Sequence, residues 1–86
     1  MDDSARDLDP ALRETAHKAF RRAVGFAGSQ SAFARDLGEK QQNISNWLRR
    51  RWVCPSALVE AVEEAYGVSR HDLRPDLYPR ESEADA

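Results

Sequence analysis

Apolar residues recur along this chain at helical rather than strand spacing. Ala16, Ala19, Phe20, Ala23, Val24 and Ala27 fall at i, i+3, i+4, i+7, i+8 and i+11, one stripe of an amphipathic helix. Asp9–Pro10 stands at its start. Asp can accept from the free N–H groups of a first turn, and Pro loses nothing there because its missing N–H would have no helical partner. Lys18, Arg21 and Arg22 fill the opposite, wet side. Gly28 predicts the end of this helix and Ser29 the cap of the next. Phe33 and Leu37, four apart, share a face of a second helix, and Ile44, Trp47 and Leu48 form the stripe of a third. Pro55 suits the first turn of a fourth, with Leu58, Ala61, Val62, Ala65 and Tyr66 as its apolar stripe and Gly67 as its stop. Ser69-Arg70-His71-Asp72 resembles a capping box and predicts a short turn that Pro75 ends. There is no repeat and no strand-like alternation, so the pattern predicts an all-α domain of four helices plus a C-terminal turn.

The segment Gln30–Arg49, QSAFARDLGEKQQNISNWLR, carries the most information. It reads as a helix, a three-residue turn and a second helix. Two helices crossing steeply need a small residue where their backbones approach, and Ala34 can supply it. Gly38 stands where the chain must turn, at a position that often requires positive φ. With Ile44, Trp47 and Leu48 turned inward, Gln41, Gln42, Ser45, Asn46 and Arg49 are forced outward. Gln and Asn can pair bidentately with adenine and Arg with guanine in the major groove. Gln41, Gln42, Ser45 and Asn46 are therefore candidate base-reading residues of a helix-turn-helix. Gln30, Lys40, Asn43, Arg49, Arg50 and Arg51 flank them as candidate phosphate contacts. Gln30 opens the first of the two helices, from where it could also brace Gln41. Lys40 stands where Ser, Thr or Asp would make a better cap. The same spacing also fits a solvated structural hairpin, or a face that docks a protein.

Composition bears on this reading through its distribution. The 86 residues make one small domain, 41% hydrophobic, with a formal net charge of −2. Residues 1–9 carry four Asp against Arg6, and residues 80–86 carry Glu81, Glu83 and Asp85 against Arg80. The middle of the chain is left net basic, and local charge matters more to nucleic acid than the total. The expected organisation is an acidic disordered tail over 1–8, a folded domain over 9–79 with its helix-turn-helix at 30–49, and a second acidic disordered tail over 80–86. A domain this small is marginally stable alone, which makes pairing with another copy plausible. The one cysteine, Cys54, cannot form an internal disulfide. With no signal peptide and no apolar run near membrane-spanning length, the cytoplasm is the expected location and no membrane partner is expected.

Candidate chemistry is sparse. His71 and Asp72 invite an acid–base reading, but no nucleophile stands near them, and a turn cap explains Asp72. Cys54, His17 and His71 are too scattered for metal-ligand spacing, and there is no glycine-rich phosphate loop. No catalytic residue, metal or cofactor is expected, and the chain does not read as an enzyme. Trp52 fits either the core or an exposed place beside DNA or a partner subunit. Leu73, Leu77 and Tyr78 fit either a return onto the first helix or a subunit contact.

Two stretches, GSQSAFARDLGEKQQNISNWLRR (28–50) and VCPSALVEAVEEAYGVSRHDLRPDLYP (53–79), resemble the small Cro-like repressors of phages and prophages, in particular the YdaS-type regulators or antitoxins. The resemblance covers residues 11–79, and the ending SRHDLRPDLYP is its most distinctive part. It implies a five-helix, lambda-repressor-like DNA-binding domain that represses from two-fold symmetric operators, as a homodimer at least on DNA. It also implies that Gln30 contacts phosphate, that Gln41, Gln42, Ser45 and Asn46 face base edges, and that Lys40, Arg49 and Arg50 lie along the backbone. The chain departs from the pattern at Lys40, where a hydroxyl residue is common, and at Arg51-Trp52, where a Gly is common. A different class of function, an antitoxin that neutralises a toxin or regulator protein by direct contact, is the alternative.

Overall fold

The computed structural model describes residues 8–79. These are all helical, with no strand among them. The expected tails lie outside the described residues except for Leu8, which is half-buried. Helix α1 spans Pro10–Ala27, α2 Gln30–Leu37 and α3 Gln41–Asn46. A π-helical turn, Trp47–Arg51, continues α3. A 3-10 turn, Ser56–Leu58, leads into α4, Val59–Tyr66, and α5 is the short helix Arg70–Leu73. Five α-helices among the described residues match the count implied by the family resemblance, and α5 is a true helical turn rather than a loop.

The helix ends follow the sequence chemistry. Asp9 accepts from the Ala11 N–H at 2.8 Å with Pro10 in the first turn. Ser29 Oγ accepts from the Ala32 N–H at 3.0 Å, and Ser69 Oγ from the His71 N–H at 3.1 Å. Each such cap typically contributes about 1 kcal/mol.

The core sits where α1, α2 and α4 converge. Ala16, Ala19, Phe20 and Ala23 of α1 are buried, as their stripe predicts, with Val24 and Ala27 half-buried. Phe20 tilts against Phe33 at 6.0 Å between centroids, and Phe33 stacks on Tyr66 at 5.4 Å. One aromatic column thus ties three helices, each pair contributing about 0.5–1.5 kcal/mol beyond its burial. The α4 stripe is rotated from expectation. Val59 and Val62 are buried, whereas Ala61 and Ala65 face out. The helix begins only after the 3-10 turn, and the larger branched side chains displace alanine from the core.

The C-terminal segment folds back on the body. Leu73 is fully buried and Tyr78 packs on the core, while Leu77 stays exposed. His71 Nδ1 pairs with the Tyr78 carbonyl at 2.8 Å, which fastens this return. Asp72 does not cap α5, since Ser69 does; it faces Arg22 of α1 at 3.8 Å. Arg74 is the unexpected core residue, only 2% exposed. Its Nε and Nη2 grip the two carboxylate oxygens of Asp76 at 3.0 and 2.8 Å, and Nη1 donates to the Cys54 carbonyl at 3.0 Å. This fork locks the C-terminal return to the start of the α4 approach.

Candidate nucleic-acid interface

The turn between α2 and α3 is built as the spacing requires. Gly38 adopts φ 70°, and the Gly38 and Glu39 N–H groups donate to the Arg35 and Ala34 carbonyls at 3.3 and 2.8 Å. Ala34 is buried beneath the turn. A Cβ at position 38 would force L-residue backbone into left-handed space, which disfavours everything but glycine and, less so, asparagine or aspartate. Helix α3 then starts at Gln41 with Lys40 as its cap residue and no side-chain cap bond. Ile44 is buried and anchors α3, with Trp47 and Leu48 half-buried beside it.

Anchoring at Ile44 turns Gln41 and Gln42 to solvent, along with Lys40, Arg49, Arg50 and Arg51. Asn43, Ser45 and Asn46 are half-buried, closer to the body than a fully outward face would put them. Asn46 is also engaged: Arg49 Nη2 donates to its Oδ1 at 3.4 Å. Gln41 is braced, but not by Gln30. Ser31 Oγ donates to Gln41 Oε1 at 2.7 Å. Gln30, at the first position of α2, instead lines an open groove of about 350 Å³ with Arg21, Val24, Ser29 and Leu48. One residue of α2 separates the two roles: Ser31 bonds across the turn to α3, whereas Gln30 lines the groove beside α1.

Electrostatically, Lys40, Arg49, Arg50 and Arg51 make no ion pair among the described residues, nor do Arg13, Arg21 and Arg35, whereas Lys18, Arg22, Arg70 and Arg74 do. Lys18 faces Glu14 at 3.4 Å, Arg70 contacts Glu63 at 2.7 Å and Arg74 contacts Asp76 at 2.8 Å. The end of the molecule that carries α3 and its π turn therefore keeps its positive charge uncompensated.

The π turn closes on Trp52. Its N–H donates to the Trp47 carbonyl at 2.8 Å, five residues back, and Trp52 takes φ 71°. A bulky non-glycine residue at this φ stores about 1–3 kcal/mol of strain. Trp52 is neither core nor free: 38% exposed, it stacks on His17 of α1 at 4.3 Å and 16°, with the Arg13 guanidinium 5.3 Å from its ring centre. His17 Nδ1 also pairs with the Trp52 carbonyl at 2.8 Å. Neither His17, Arg13 nor Ser31 is distinguished by the sequence pattern. The Arg51-Trp52 departure from the expected glycine was the one available signal.

No helix among the described residues is long and apolar enough to cross a membrane, and no group of three metal-ligating side chains forms among them. The family model described as "Bacterial toxin YdaS" matches residues 20–82, and the chain belongs to that family. No curated protein and no solved structure matches the chain.

Proposed function

We propose that this protein is a sequence-specific DNA-binding regulator, a Cro-like repressor that occupies a palindromic operator as a homodimer. Helix α3 enters the major groove, one protomer per half-site, with half-site centres about one helical turn, ~34 Å, apart. Gln41 and Gln42 read base edges at the helix start. Ser45 and Asn46 follow one turn on, where Arg49 must share or release the Asn46 amide oxygen. Lys40, Asn43, Arg49, Arg50 and Arg51, with Gln30 across the groove, bind phosphates. Repression follows from occlusion of polymerase at the promoter. The protein acts by binding rather than catalysis, in the bacterial cytoplasm.

The observation that carries this reading is the braced Gln41. Its Oε1 accepts from Ser31 and keeps a second lone pair. The amide is thereby oriented before contact, with one acceptor and its NH₂ donors available for the two-point pattern of adenine N6 and N7. The test is a gel-shift titration against DNA upstream of the protein's own gene, with random competitor, at two salt concentrations. Tight, salt-sensitive binding that survives competitor is expected. Weak binding lost equally to competitor refutes a specific operator there.

The family's description names a bacterial toxin and no target; the second reading is that the chain acts on a protein partner by direct contact, as a toxin or as an antitoxin that neutralises one. The two readings separate experimentally. Toxicity that survives Gln41→Ala while specific DNA binding is lost marks a protein target, whereas toxicity lost in step with DNA binding across Gln41→Ala and Arg50→Ala marks DNA.

A further inference from the structure

We propose that His17, far from the helix-turn-helix in sequence, is a positioning residue for phosphate binding: it clamps Trp52 and so fixes the arginine run Arg49–Arg51. The inference rests on the DNA-binding reading above. Trp52 is the one non-glycine residue with positive φ among the described residues. In that conformation its Cβ crowds the following carbonyl, so an isolated chain would leave it. Within the turn, the opposing contact is the single Trp52 N–H bond to the Trp47 carbonyl. The rest of the restraint comes from α1. His17 holds both halves of Trp52 at once, the main chain through Nδ1 to the carbonyl at 2.8 Å and the side chain through the 4.3 Å stack. Arg13, one turn earlier on α1, covers the same ring at 5.3 Å. Its Nε is buried with no hydrogen-bond partner among the described residues, so the ring face is what holds the guanidinium there.

The consequence reaches the arginines through the backbone. Arg49, Arg50 and Arg51 lie inside the turn that the Trp47–Trp52 bond closes. Release of Trp52 lets φ return to negative values, opens that bond and lets the arginines fan out. With the arginines fanned out, one guanidinium no longer reaches its phosphate, so a contact is lost in addition to the ordering entropy of those that remain. The residue that resembles a poor substitute for glycine is thus the handle by which α1 sets the phosphate-binding edge.

The test uses the full chain and a fluorescein-labelled mixed-sequence DNA duplex, read by anisotropy across a salt series well below each variant's Tm. His17→Ala is expected to weaken binding several-fold at low salt and to make the log–log salt slope shallower by about one unit, the loss of one phosphate contact. His17→Asn, whose amide nitrogen can stand near the Nδ1 position, restores part of it. The decisive variant is His17→Ala with Trp52→Gly. Glycine adopts positive φ without steric penalty, so the Trp52 N–H bond to the Trp47 carbonyl can keep the turn closed without a clamp, and the double variant is expected to recover the wild-type slope although it lacks both rings. A wild-type slope in His17→Ala, or no recovery in the double variant, overturns the positioning role whatever Tm does. A wild-type protein that shows no salt-dependent binding overturns both this inference and the DNA-binding reading.

Discussion

Ser31 Oγ donates to Gln41 Oε1 at 2.7 Å across the turn between α2 and α3, tying the start of one helix to the start of the next. If that bond orients Gln41 for a base, the two residues act as one unit. Gln41→Ala is expected to cost about 1–3 kcal/mol on a selected site and much less on random DNA. Ser31→Ala is expected to cost about 1 kcal/mol on the selected site, and next to nothing once Gln41 is already alanine. Titrations of the four members of this double-mutant cycle measure the coupling, and strict additivity would remove the brace from recognition.

Arg74 predicts a large stability effect far from that face. Truncation to Ala removes the fork on Asp76 and the bond to the Cys54 carbonyl and empties a buried site. Asp76 keeps access to water, so the loss falls below that of a fully buried pair, at about 2–3 kcal/mol. Urea unfolding of Arg74→Ala is expected to show a loss in this range. Arg74→Lys is expected to recover little, because an ammonium cannot make the two-point fork.

Tyr66 sets an alkaline limit. Burial, then the hydrogen bond its hydroxyl donates to Asp36 at 2.8 Å, raises its pKa from 10.0 to about 12. A folded value above the unfolded one stabilises the fold fully below pH 10.0, and that contribution is lost as pH rises towards about 12. Ultraviolet titration of Tyr78→Phe, which leaves Tyr66 as the single tyrosine, is expected to show ionisation near the higher value. Asp36→Ala is expected to move it down.

Glu63 sets the acid side with the opposite sign. The Arg70 N–H donates to it at 2.9 Å and the Arg70 guanidinium contacts it at 2.7 Å, which together hold its pKa below the ordinary 4.5. A depressed folded value stabilises above that ordinary value, and the contribution disappears as pH falls through the folded one. The melting temperature of Glu63→Gln is therefore expected to fall less steeply than wild type below pH 4.5. An identical acid limb would remove Glu63 from the balance.

Local chemistry made most of the fold legible. Asp9–Pro10, Ser29, Gly38 and Ser69 act at helix ends through their own backbone or side chain, so their roles could be read without tertiary knowledge. The α1 stripe is long enough that its phase is unambiguous. The α4 stripe is short, and alanine counts as apolar in the pattern while burying little, so Val59 was displaced by Ala61 and Ala65 in the reading. Arg74 was illegible because its partners, Asp76 and the Cys54 carbonyl, meet only after the C-terminal segment has folded back. At the candidate site, the outward placement of Gln41, Gln42 and the arginines follows from the inward stripe of Ile44, Trp47 and Leu48. The Ser31 brace, the Asn46–Arg49 pairing and the His17–Trp52 clamp depend on side-chain directions that spacing does not encode.

Selection from a pool of randomised duplexes asks whether α3 reads a DNA sequence. After several rounds of binding to the purified protein, the account predicts enrichment of a two-fold symmetric motif whose half-site centres lie about one helical turn apart. Gln41→Ala is expected to relax that motif at one position in each half. A pool that stays random after selection, or a motif unchanged by Gln41→Ala, would contradict the account and bring the protein-partner reading forward.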